Sequence, residues 1–156
     1  KTAYEIKECD WSSDVCSSDL LRRGPLGGGT LACVHYLRIW ADAAGESHFE
    51  EVTRPVTVQA AEPGVAALHL ADAVDVDRAQ FLELDGDLQD PDWHTAPRRQ
   101  FVVFLDGWVR IEVSDGEVRT LPAGTTVLVE DLTGRGHVTT HEPGPRRVLL
   151  VPLDPA

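Results

Sequence analysis

In the second half of the chain, from Gln100 to Val151, candidate strands start roughly every 8 to 12 residues, with turn signals between them. The signals are Asp106-Gly107, Asp115-Gly116, Pro122-Ala123-Gly124 and Pro143-Gly144-Pro145. Between them Val109, Ile111 and Val113 alternate with Trp108, Arg110 and Glu112, the period of a strand with one buried face. Phe101-Val102-Val103-Phe104-Leu105 is apolar throughout and reads as a central strand covered on both sides. The pattern predicts strands at His35–Trp40, Glu51–Val58, Gln80–Leu84, Gln100–Leu105, Trp108–Val113, Glu117–Leu121, Thr125–Glu130, Gly136–His141 and Arg146–Val151. Ala66–Gln80 reads as strand and turn, because Leu68/Leu70 and Val74/Val76 alternate. Many short strands at even spacing argue for an all-β sandwich or barrel.

The first 33 residues do not share this grammar. Both lysines, Lys1 and Lys7, lie there, with all three cysteines, Cys9, Cys16 and Cys33; four of the six serines fall before Leu21. After Leu20 there are 12 Arg and no Lys. Residues 10–20, Asp-Trp-Ser-Ser-Asp-Val-Cys-Ser-Ser-Asp-Leu, back-translate into a sequence that resembles a common short-read sequencing adapter, and Lys1–Ile6 fits the other end of that adapter. Leu21–Cys33 has no structural period. Residues 1–33 are therefore expected to be a non-native, disordered leader, and 34–156 the folded domain, with a natural start at Val34.

That domain carries 10 Arg against 21 Asp plus Glu, a charge of −11, and the whole chain −12. Such an acidic surface repels phosphates, so neither nucleic acid nor an anionic membrane is an expected partner. The domain has no cysteine, which removes disulfides, thiolate zinc sites and cysteine nucleophiles together.

Chemistry-bearing residues gather in two places. One is Asp92-Trp93-His94-Thr95-Ala96-Pro97-Arg98-Arg99-Gln100, followed by Gly107; the other runs from Gly124 through Glu130-Asp131-Leu132-Thr133-Gly134-Arg135-Gly136 to His137. In an extended segment His94 and Gln100 share parity and aim into the same space. This pair of segments resembles the two motifs of the cupin superfamily, of the forms G-x5-H-x-H-x3-4-E-x6-G and G-x5-P-x-G-x2-H-x3-N. The resemblance covers about Gln80 to Leu153 and extends to Val34 for small single-domain bacterial members. It implies a double-stranded β-helix, a jelly-roll barrel, usually a cytoplasmic homodimer, with a divalent metal (Zn, Fe, Ni or Mn) inside. Aligned on the motifs, Gln100 stands where the family has Glu, Ala96 replaces the second His, Glu130 replaces Pro, and His141 stands where the Asn would be.

The resemblance leaves His94, Gln100 and His137 as the metal set, with Glu130 or Asp131 available to supply a negative charge. Two functions follow. In one the protein is a metal-assisted enzyme with Glu130 as general acid or base. In the other the cavity is metal-free, and the same residues, with Trp93 and Arg98, bind a small polar molecule in a sensor or accessory module. Arg98 and Arg99 alternate in direction, so one faces solvent while the other can meet an acid such as Glu130. His35, His48 and His69 carry no motif and read as surface or packing residues.

Overall fold

A computed structural model describes residues 33–59, 64, 67–76, 78–85 and 92–153, and among them every regular element is a strand. Residues 1–32, nearly all of the expected leader, lie outside the described residues. The strands are β1 (Cys33–Ala41), β2 (Ser47–Pro55), β3 (Thr57–Gln59), β4 (Leu68–Leu70), β5 (Gln80–Leu84), β6 (Gln100–Phe104), β7 (Trp108–Val113), β8 (Val118–Pro122), β9 (Thr126–Glu130), β10 (His137–His141) and β11 (Arg146–Pro152). The Asp-Gly turns sit where the sequence puts them, with Gly107 at φ 66° and Gly116 at φ 93°, a region that glycine enters without strain.

Six strands form one sheet in the order β2-β1-β9-β6-β11-β5, and three form a second in the order β10-β7-β8. β1 runs parallel to β9, while the other pairs are antiparallel. β3 and β4 make a separate exposed pair. The two larger sheets pack face to face; among the described residues no sheet closes on itself as a barrel. No helix of the described residues is long and apolar enough to cross a membrane.

Register sorts the side chains. Leu37 pairs with Val127 and Ile39 with Val129 across β1 and β9. Val102 pairs with Val127, and Val148 with Phe104. All seven point to one face and meet Val109, Ile111, Val113 and Leu121 of the smaller sheet in a single core. Because parity is strict in a strand, this arrangement sends the intervening residues outward.

Three expectations change in detail. Glu51–Val58 is two strands, because the ladder stops at Pro55 and Val56 turns into the core at 8% exposure; proline has no N–H with which to continue. Among the described residues of the ambiguous stretch after Ala66, β4 and a bridge from Val76 to Leu153 form. β6 is interior to its sheet as expected, but its outer face is only partly covered: Phe101 meets the Tyr36 ring edge-on at 5.2 Å and stays half-buried. β1 also begins at Cys33, one residue inside the expected leader.

Candidate functional site

Between the sheets lies a cavity of about 170 Å³. Most of its wall is aliphatic or aromatic: Leu82 and Leu84 of β5, Val102 and Phe104 of β6, Val127 and Val129 of β9, Val148 and Leu150 of β11, and Ile111 of β7. The polar part consists of His94, Gln100, His137, Thr139 and His141. Among the described residues no Lys, Arg, Asp or Glu lines it.

Strand parity builds this polar wall. His137, Thr139 and His141 alternate along β10 and all three are buried. Gln100 opens β6 on the face of Val102 and Phe104 and is 8% exposed. Four residues of strand separate His137 from His141 by about 13 Å, so these two imidazoles serve different ends of the cavity.

His94 belongs to no long strand. It is held by a two-bond bridge to His137: its N–H donates to the His137 carbonyl at 3.0 Å and its carbonyl accepts from the His137 N–H at 2.9 Å. The two rings stand 4.6 Å apart, tilted by 57°. Next along, the Ala96 N–H donates to the Asp131 carbonyl at 3.1 Å, so residues 94–96 lie alongside 131–137. Gly136, at φ 79°, permits this: a Cβ there would lie 1.9 Å from the His94 carbonyl oxygen. The Ser47 hydroxyl, fully buried, donates to the Gly136 carbonyl at 2.6 Å and secures the loop from the β2 side.

Asp131 is fully buried, and its Oδ2 lies 2.6 Å from His137 Nδ1. A carboxylate only accepts, so the contact puts the proton on Nδ1 and leaves Nε2 as the atom His137 turns elsewhere. The second carboxylate oxygen, Oδ1, has no partner among the described residues.

The structure thus brings His94, Gln100 and His137 together on one cavity. It does not bring Glu130, Trp93 or Arg98 there. Glu130 follows Val129 and points out of the opposite face, where it bridges Arg38 and Arg99. Burial pushes its carboxyl upward, but hydrogen bonds from Arg99 and Arg38 outweigh that and hold it below the ordinary value. Such a group is a poor proton carrier near neutral pH and does not face the space where a substrate would sit. Of the two arginines, Arg99 is the one that meets Glu130, and Arg98 is exposed. Trp93 is half-buried beside the loop, with the Arg135 guanidinium 4.2 Å from its ring centre.

No protein-family model matches the chain, and no curated protein does. Among solved structures it is similar to the crystal structure of protein NMB1881 from Neisseria meningitidis, at 23% identity and a TM-score of 0.39, over 51% of this chain and 78% of that one.

Thr139 and His141 join the motif residues on the wall, and the parity of β10 places both there. Asp131, available from the motif as a negative ligand, instead stands behind His137; that position depends on how the 131–136 loop returns, which no local pattern encodes.

Proposed function

We propose that this protein is a binding module that takes a small molecule into the cavity between its sheets, without need of a metal. The observation that supports this reading is the composition of the wall: a mostly apolar lining with a handful of hydrogen-bonding groups at one side, the usual make-up of a small-molecule site. The two facing sheets and the positions of the two motifs agree with a cupin-type jelly roll, and we take that as the architecture. The aliphatic majority of the wall favours a molecule with an apolar body over the wholly polar one expected from the motifs.

A metal-dependent reading has one observation in its favour. The contact of His137 Nδ1 with buried Asp131 is the arrangement that orients an imidazole whose other nitrogen binds a metal. Of the donors facing the cavity, His94, Gln100 and His137 form the motif set, and the Gln100 amide oxygen is a weaker donor to a dication than a carboxylate.

Gln100→Glu separates the readings. In a metal-free cavity it places a carboxylate in a largely apolar lining where no described Lys or Arg faces it, and stability falls by about 1–3 kcal/mol with or without added metal. At a metal site the same change tightens binding, and Zn, Ni or Mn raises the melting temperature of the variant above that of wild type. Binding itself is tested by ligand-observed NMR with a fragment mixture: Val127→Phe, which fills the cavity from β9, should remove the signals, and Glu130→Gln should leave them.

A further inference from the structure

Proteins keep unwanted strands away from the open edges of a sheet with charges and proline, because an edge offers a row of free N–H and C=O groups to any strand that comes alongside. The six-stranded sheet has two such edges, β2 and β5. β2 is protected, since His48, Glu50, Glu51, Arg54 and Pro55 lie along it. β5, Gln80-Phe81-Leu82-Glu83-Leu84, holds no proline and one charge, Glu83, which stands in register with Arg147 of β11. Among the described residues β11 is its only neighbour in the sheet.

Side chains on this flank point the same way. Phe81 is 77% exposed on the outer face. Val74 and Val76 are exposed as well, and Val76 bridges Leu153 just past the end of β11, so apolar residues continue along the flank. A net charge of −12 makes two copies of the chain repel each other, and they can meet only where charge is scarce, as it is on β5. Parity then limits how they meet. A twofold axis through the sheet keeps inner and outer faces aligned when residues of equal parity pair. Centring the pair on Glu83 sets two carboxylates opposite each other, and centring it on Leu82 sets each Phe81 against a Glu83. Centring it on Phe81 brings the two rings together and puts Glu83 opposite Ala79, which avoids the repulsion and covers the exposed ring.

We propose that two copies of this chain join antiparallel along β5, Phe81 facing its counterpart, so that their six-stranded sheets become one continuous sheet. The motif resemblance implies a homodimer without naming a surface; the composition of the two edges selects β5. The contact does not depend on what the cavity binds. Leu82 and Leu84 line the cavity from the same strand, so the pairing also braces one wall of each cavity.

Sedimentation of the full chain at up to about 1 mM, enough to populate even a millimolar contact, should show a dimer. Phe81→Lys brings two ammonium groups face to face at the axis and should weaken that dimer by more than about tenfold. Because Phe81 is exposed in the protomer, the variant and wild type, both dilute, should unfold at the same denaturant concentration. Thr53→Lys adds the same charge at an exposed position of β2 and should leave the dimer intact, which separates a contact at β5 from an effect of net charge. Wild type offers a test without any substitution: amide exchange in Gln80–Leu84 should slow as the protein is concentrated, while exchange in β2 stays the same. A chain that remains monomeric throughout would overturn the proposal, and so would a dimer that survives Phe81→Lys or that Thr53→Lys disrupts equally.

Discussion

At the scale of single residues, Gly136 determines whether the histidines meet. Any side chain there would strike the His94 carbonyl at 1.9 Å, and the backbone holds φ at 79°, so neither rotamer choice nor a small shift relieves it. Gly136→Ala is expected to cost about 1–3 kcal/mol and to part the His94–His137 bridge. Thermal melts give the first effect, and amide hydrogen exchange at His94 and His137 the second. A variant as stable as wild type, with both amides still protected, would mean that the loop reaches the bridge by another route. The site residues His94, Gln100 and His137 were legible because motif spacing and parity act locally. Asp131 as the partner of His137 was not, because a hydrogen bond across a loop depends on where the chain returns.

At the scale of elements, parity does nearly all the work. Ile39 and Arg38 are neighbours in sequence, yet Ile39 is 0% exposed in the core while Arg38 lies on the outer face pairing with Glu50 and Glu130. The same rule separates Leu82, on the cavity, from Phe81, which is 77% exposed on the edge strand β5. Ile39→Ala should therefore lose about 2–5 kcal/mol in chemical denaturation. Phe81→Ala should change stability by no more than about 0.5 kcal/mol despite deleting a larger side chain. Equal losses at both positions would contradict the assignment of faces. Alternation in β7 made its buried face readable in advance. The unbroken apolar run of β6 did not reveal that Phe101 and Val103 are only half-covered, because periodicity carries no information once both parities are apolar.

At the scale of the whole molecule, His48 ties together parts that sequence separates. Its Nδ1 lies 2.7 Å from Asp115 Oδ2 in the β7–β8 turn, and its Nε2 3.4 Å from Asp42 Oδ2 in the β1–β2 turn, so one imidazole joins both sheets. The hydrogen bond to Asp115 outweighs partial desolvation and, with help from Asp42, raises the His48 pKa above its ordinary 6.5. The folded state therefore favours the protonated ring. The stabilisation is fully present below the unfolded pKa and disappears as pH rises through the higher folded value. Melting temperatures of wild type and His48→Gln measured from about pH 5.5 to about pH 8.5 should differ most at the acid end and converge at the alkaline end. A constant difference across that range would show that His48 contributes packing alone. In sequence His48 reads as a surface or packing residue, since nothing in its neighbourhood announces a turn nearly seventy residues away.

By itself the sequence determined the class of the fold, nearly all the strand positions and the inward face of most strands, because turn residues and period-2 alternation act over a few neighbouring residues. It also determined which histidines and which amide could share one space. Only the tertiary structure decided that Glu130 turns away to Arg38 and Arg99, that Asp131 stands behind His137, and that among the described residues no Lys, Arg, Asp or Glu lines the cavity. Those three depend on which strands become neighbours and on how loops close, and pairings between distant segments follow from the energy of the whole packed molecule, which no local stretch of residues records.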